Sequence, residues 1–251
     1  MKRLLAMFAM LRVVLHLLHG LLIVALIYPH ISAAARQGRT RRWSAQVLAI
    51  CGVRLKVTVP TAEVHAGPAL IVANHVSWLD IFVINAMQPC RFVAKSDIRD
   101  WPLIGWLCAK TGTIFIARGR NRDVRRIFKD MVASIHAGER VAVFPEGTTS
   151  MQGSLLPFHA NLFEAAIDAQ VPIQPYALRY TGRDGRVHAA IDYVGETTFA
   201  SSLARVLAVR DFTAELIVLP VIATQGVHRR ELAVVAREGI AATLESASGD
   251  N

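Results

Sequence analysis

His75 and Asp80 stand five residues apart, directly after the apolar run Leu70-Ile-Val-Ala73. A histidine and a carboxylate at that spacing suit an oriented base. The imidazole takes a proton from a reacting hydroxyl, and the carboxylate fixes the ring tautomer and stabilises the imidazolium that forms. The same two residues also fit a histidine at a strand end and an aspartate in a helix's first turn, where the dipole favours negative charge. Ser77 lies between them. It has no Gly-x-Ser-x-Gly elbow and sits too close to His75 for a nucleophile, so its expected role is a helix N-cap.

The elements around this pair must bring distant side chains to it. Three later segments share its construction, an apolar strand run bounded by Gly, Pro or charged residues: Gly112-Thr-Ile-Phe-Ile-Ala-Arg118, Val141-Ala-Val-Phe-Pro-Glu-Gly-Thr-Thr-Ser150 and Val171-Pro-Ile-Gln-Pro175. Strand patterns run over 55–59, 69–73, 91–94, 113–116, 140–144, 173–180, 188–194 and 215–222. Helical patterns fall at 78–86, 123–136, 161–169, 201–208 and 229–246. The clearest is 123–136, with one apolar stripe and Gly138 as its stop. The alternation predicts an α/β fold: a mixed, largely parallel sheet flanked by helices, preceded by an N-terminal membrane-embedded helical segment. Ligands in such sheets bind beyond the carboxyl ends of the strands, where each of the four blocks is expected to meet the others.

The membrane expectation rests on residues 13–35, which contain no Lys, Arg, Asp or Glu, and on a mean hydropathy of +0.37 for the chain. Pro29 should end this helix near Tyr28. An amphipathic segment follows, with Trp43, Val47, Leu48 and Cys51 at helical spacing behind Arg36, Arg39, Arg41 and Arg42. The expected organisation is an anchor at 1–52, a catalytic domain at 53–246 and a disordered tail at 247–251. If the helix crosses, the four arginines leave the catalytic domain on the cytoplasmic side of a bacterial inner membrane. A cleaved signal peptide competes, with Ala33-Ala-Ala35 as its processing site, but the apolar region is long and the arginines after the cut would hinder export. Cys51, Cys90 and Cys108 are widely spaced among apolar residues, which argues against a disulfide framework or a zinc site. The 28 Lys and Arg against 19 Asp and Glu, a formal charge of +9, lack the aromatic interleaving of a nucleic-acid reader. The expected partners are a bilayer and small molecules, with no nucleic acid and no metal.

The four blocks, in this order over residues 70–180, resemble the glycerolipid acyltransferases, the family that includes 1-acylglycerol-3-phosphate acyltransferase. Its blocks read Asn-His-x4-Asp, Gly-x-Ile-Phe-Ile-x-Arg, Phe-Pro-Glu-Gly-Thr and Val-Pro-Ile-x-Pro. Lys95, Pro102 and Gly105 resemble its connection between the first two. The resemblance implies transfer of an acyl group from an acyl thioester of coenzyme A or acyl carrier protein to a lysolipid hydroxyl, without a cofactor. His75 would be the base and Asp80 its orienting partner. Arg118 would hold an acceptor phosphate, with a surface arginine in a basic run as its bland reading. Asn74, Lys95, Gly147, Thr148 and Thr149 are further substrate-binding candidates. Glu146 would meet acceptor hydroxyls or position a cation, or else bond to backbone N–H groups of its own loop. Backbone N–H groups near Gly147 are candidate oxyanion donors.

Thr149 departs from the pattern, standing where many phosphatidic-acid-forming members have Arg, and His159 stands where Lys is frequent. The primary expectation is acylation of 1-acylglycerol-3-phosphate or a related lysolipid. The loss of two cations opens a second, an amino-acid or zwitterionic acceptor such as lyso-ornithine lipid. A non-catalytic lipid-binding protein and an ester hydrolase are the readings from other classes.

Overall fold

Residues Leu70–Ala73 form a strand with all four side chains buried, because this strand lies in the middle of a sheet covered on both faces. The computed structural model describes residues 2–59, 64–116 and 121–249. Its strands are β1 Val53–Thr58, β2 Leu70–Ala73, β3 Arg91–Lys95, β4 Ile114–Ile116, β5 Val141–Val143, β6 Ile173–Thr181 and β7 Phe212–Val218. They form one sheet in the order β1-β7-β6-β2-β5-β3-β4. Every pairing is parallel except β6 with β7, so β1 and β7 run against the other five.

Alternate side chains feed two cores. Ile71 and Ala73 join Tyr176, Leu178, Tyr180, Phe212 and Leu216 beneath α2 Ala33–Cys51, α3 Asp80–Met87 and α7 Phe199–Val209. Leu70 and Val72 join Val141, Val143 and Ile173 on the other face, under α5 Asn121–His136, α6 Glu164–Asp168 and α8 Arg229–Gly249. The α5 stripe is the one its spacing predicts, with Ile127, Met131 and Ile135 buried. Across the reversed strands, Glu215 of β7 pairs with Lys56 of β1 (2.7 Å) and Arg179 of β6 (2.6 Å). Burial alone would raise its carboxyl, but hydrogen bonds and charge from these two cations outweigh that and hold it below the usual range.

The N-terminus forms a helical hairpin. Helix α1, Lys2–Leu22, loosens into a π turn at Ile23–Ile27 and a 3-10 turn at Tyr28–His30. The loosening begins a turn earlier than the expected stop, because Pro29 has no N–H and its ring crowds the carbonyl four residues back. Leu5–His30 is long and apolar enough to cross a membrane and is largely exposed, fitting a membrane-embedded segment. Ser32 caps α2, and Gly52, in the left-handed region, ends it. Residue 52 does not divide two cores, however. Ala9, Val47, Leu48 and Cys51 are buried in the same cluster as Val83, Leu203 and Phe212.

Two expectations are corrected, and one helix is added. Residues 188–194 are not a strand: they contain a 3-10 turn at Ala189–Ile191, and the Tyr193 N–H donates to Val76 O (3.1 Å). His188 alone bonds to the sheet, its N–H donating to Tyr180 O (3.3 Å), after which the chain turns on itself and reaches the loop after β2. The stretch 247–251 is not wholly a tail, since α8 runs through Gly249, with the Ala247 carbonyl accepting from the Arg179 guanidinium. A helix not anticipated, α4 Ile104–Lys110, follows β3, too short to show periodicity.

Trp43 locks α1 to α2: its indole N–H donates to His16 O (3.1 Å) while its ring stacks on that histidine at 4.8 Å. Gly20 permits this, since a Cβ there would lie 2.8 Å from Trp43 Nε1. Gly20→Val should therefore destabilise the protein by about 1–3 kcal/mol in thermal unfolding. In a Trp43→Ala background the same change should cost little, and an equal cost in both backgrounds would refute the packing account.

Candidate active site

Strand β2 delivers Asn74 and His75 to the carboxyl edge of the sheet, and a tight turn brings Asp80 back beneath the imidazole. His75 Nδ1–H donates to Asp80 Oδ2 (2.8 Å), which also accepts from the N–H groups of Val76 (2.7 Å) and Ser77 (3.0 Å). Asp80 is fully buried, and its second oxygen accepts from the Tyr180 hydroxyl at 2.6 Å. Burial, then the Asp80 charge, push the Tyr180 hydroxyl well above its usual range, so it stays a donor. The His75 ring stacks on Phe144, with centroids 3.9 Å apart, and remains partly exposed. With Nδ1 committed, Nε2 is the nitrogen left to take a proton from an incoming hydroxyl.

The β5 loop holds this arrangement from the side. Glu146 Oε1 accepts from the His75 N–H (2.8 Å), and Oε2 accepts from Ser150 Oγ (2.8 Å) and the Leu156 N–H (2.9 Å). Ser150 N–H in turn donates to His75 O (2.8 Å). Both Glu146 oxygens thus hold the first and third blocks together, which fits the reading in which it bonds backbone N–H groups. Gly147 has φ +70, and its N–H closes a turn on Phe144 O (3.0 Å), so that group is not the oxyanion donor sought there. A side chain at Gly147 would press on the His159 ring at 3.1 Å.

Other candidates separate. Asn74 is buried with its amide paired to Leu178 of β6 at both ends (2.9 and 2.7 Å), which positions the β2 loop and leaves nothing for a substrate. Ser77 is not an N-cap: its Oγ is buried without a hydrogen bond, and Asp80 opens α3. Lys95 is exposed at the end of β3, and Thr148 is exposed beside Thr149. The Thr149 hydroxyl donates to Tyr193 O, fastening residues 188–194 across the β5 loop. Arg118 lies outside the described residues. The fourth block belongs to the opposite edge of the sheet: Ile173 pairs with Leu70 at the start of parallel β2, and Gln174 is buried with its Oε1 on the His65 N–H (2.9 Å). It sets the register of β6 and does not reach His75.

Sequence reasoning missed Tyr180 and Gln152, whose Oε1 accepts from the Tyr180 N–H (2.6 Å). The one available signal was the inward alternation Tyr176, Leu178, Tyr180 along β6, which marks burial and not a partner. Burial raises the Cys51 and Cys90 thiols to about 12, which removes both as thiolate nucleophiles.

Residues 54–179 match the model of a family described as Acyltransferase. The chain is 38% identical over 209 residues to the lyso-ornithine lipid O-acyltransferase of Pseudomonas aeruginosa, spanning 83% of this chain and 79% of that protein. It is also 38% identical over 167 residues to the 1-acyl-sn-glycerol-3-phosphate acyltransferase of Neisseria meningitidis serogroup B, spanning 66% and 65%. The crystal structure of the 1-acyl-sn-glycerophosphate acyltransferase from Thermotoga maritima has the same fold, with a TM-score of 0.74 over 98% of this chain and 97% of that one at 19% identity.

The Tyr180–Asp80 bond is charge-assisted, whereas Tyr176 donates to the neutral amide oxygen of Gln88 (3.2 Å). Tyr180→Phe should therefore cost about 1.5–3 kcal/mol in denaturant unfolding, and Tyr176→Phe about 0.5–1.5 kcal/mol. Equal losses would mean that Asp80 does not carry its charge in the folded protein.

Proposed function

Because the chain belongs to the Acyltransferase family, we propose that it moves a fatty acyl group from an acyl thioester, of coenzyme A or acyl carrier protein, to the free hydroxyl of an amino-acid lysolipid of the lyso-ornithine type. With either acceptor the chain is a membrane O-acyltransferase acting in lipid metabolism. In the reaction His75 Nε2 takes the hydroxyl proton as the oxygen attacks the thioester carbonyl. The new C–O bond forms, the C–S bond breaks, and the thiolate leaves with the proton returned by His75. Asp80, held by Tyr180 and two backbone N–H groups, orients the ring and offsets its transient positive charge. No covalent enzyme intermediate is needed, and Ser77 takes no part.

The observation that carries the acceptor assignment is the neutral Thr149 fastened to Tyr193 at the edge of the site. An arginine there would supply a fork for a phosphomonoester; threonine supplies none. The neighbouring Asp192 has a buried oxygen without a hydrogen bond; burial favours its neutral form, against hydrogen bonds from Gln152 and the charges of Arg205 and His188. In its ionised form an acid beside the loop of His75 suits an acceptor bearing an ammonium group and disfavours a dianion. Two of the similar proteins, from Pseudomonas aeruginosa and Rhodobacter capsulatus, carry the lyso-ornithine name at 38% identity. The second reading, acylation of 1-acylglycerol-3-phosphate, is supported by the Neisseria meningitidis relative at the same identity. Arg118 remains the proposed partner of an acceptor phosphate or carboxylate, and Lys95 and Thr148 are proposed to face the substrates. Residues 1–52 form the membrane-facing part, with the catalytic residues of 53–246 on the cytoplasmic side of a bacterial inner membrane.

Acyl transfer to lyso-ornithine lipid and to 1-acylglycerol-3-phosphate, each with both thioester donors, tests this directly. His75→Ala should lower kcat/KM by a factor on the order of 10² to 10⁴. Thr149→Arg should shift the acceptor ratio toward the phosphomonoester, and Asp192→Asn should lower use of the amino-acid lysolipid alone. A parent enzyme that strongly prefers 1-acylglycerol-3-phosphate would install the second reading, and free fatty acid as the main product would make it a hydrolase.

A further inference from the structure

The entire formal charge of the chain lies in its first 62 residues. Nine Lys and Arg precede Glu63, the first acidic residue, and the remaining Lys and Arg are balanced by the 19 Asp and Glu that follow. Arg54 and Lys56 pair with Asp211 and Glu215. Arg12, Arg36, Arg39, Arg41 and Arg42 have no ion pair among the described residues. Arg36 is occupied by Tyr28, donating to its carbonyl (2.9 Å) and lying over its ring.

Arg12 is different in its placement. It interrupts the apolar α1, and with His16 and His19 it occupies positions i, i+4 and i+7, one face of the helix. That face borders a cleft of about 410 Å³ between α1 and α2, completed by Gln46 and walled by Leu15 and Ile50. The cleft's wall is stiff, because His16 is stacked on Trp43 and its Nε2–H donates to Trp43 O (3.1 Å). A guanidinium in an apolar, membrane-embedded helix needs an anion, and the hairpin contains none.

We propose that this cleft binds the phosphate of an anionic phospholipid. Arg12 offers the fork of donors, His19 and the Gln46 amide add N–H groups, and Leu15 and Ile50 meet the apolar part of the lipid. The site is distinct from the pocket of His75, and the proposal rests on the membrane association of the chain, not on the identity of its acceptor.

The test titrates the full chain, in neutral detergent micelles, with short-chain phosphatidylglycerol, short-chain phosphatidylcholine or inorganic phosphate, following Tm. Phosphatidylglycerol should raise Tm saturably and at concentrations at least five-fold lower than either of the others. Arg12→Gln should weaken that response five-fold or more, as should Gln46→Leu, which removes the amide donor without removing a charge. Arg39→Gln, on the exposed side of α2, should leave it unchanged. A response equal in Arg12→Gln and the parent, or lost equally in Arg39→Gln, would overturn the site in favour of diffuse attraction to the basic hairpin. Inorganic phosphate as effective as the lipid would overturn its assignment to a lipid. If Arg12→Gln does not fold, an undiminished response in Gln46→Leu overturns the proposal by itself. Acyl transfer is not read in this experiment, so its failure leaves the acceptor assignment standing.

Discussion

A carboxylate taken wholly out of water governs the construction of this molecule. Among the described residues no Lys or Arg pairs with Asp80, so hydrogen bonds must offset its desolvation. It receives four: from the His75 ring, from two backbone N–H groups of the turn, and from Tyr180 a hundred residues away. Each donor to a charged acceptor contributes roughly 1.5–3 kcal/mol. The turn after β2 cannot form without the aspartate, and the aspartate cannot be buried without β6 alongside. The geometry of the His75–Asp80 pair is therefore a consequence of sheet assembly.

A second buried carboxylate repeats the solution. Glu146 spends one oxygen on the His75 N–H and the other on Ser150 and Leu156, so two segments more than 70 residues apart are fused by one side chain. The imidazole is clamped from below by Asp80 and against Phe144 at its face, leaving one nitrogen facing outward. Rigidity of this kind suits proton transfer, in which a fixed donor–acceptor distance matters more than binding strength.

Much of this was legible from residue order. The His75–Asp80 spacing, the four strand runs, the α5 stripe and the apolar N-terminal helix all express local periodicity, which survives in one dimension. What was not legible depends on which way a side chain turns. Glu146 and Asn74 look like substrate contacts until the register of β2 against β5 and β6 directs them into the scaffold. Tyr180 reads as one more inward residue of a buried strand. The Val171–Pro175 block shares the composition of the others, yet parallel pairing with β2 sends it to the far edge. Residues 188–194 alternate like a strand, but the Tyr193 N–H is claimed by the loop after β2. In each case the decisive fact is a contact across more than 40 residues of chain.

Strand β1 has a single neighbour, β7, the last strand to be made. During synthesis it emerges with its ladder edge open and must wait for almost the whole domain before it can pair. Such non-local closure is slow and leaves strands open to wrong partners. The helical hairpin that precedes it packs against the same sheet, with α2 running directly into β1 through Gly52. The same hairpin contributes Leu48 and Cys51 to the core that β7 later completes. The first helices of the chain and its last strand thus meet in one core, so the membrane-facing hairpin and the closing edge of the sheet are parts of a single packing unit.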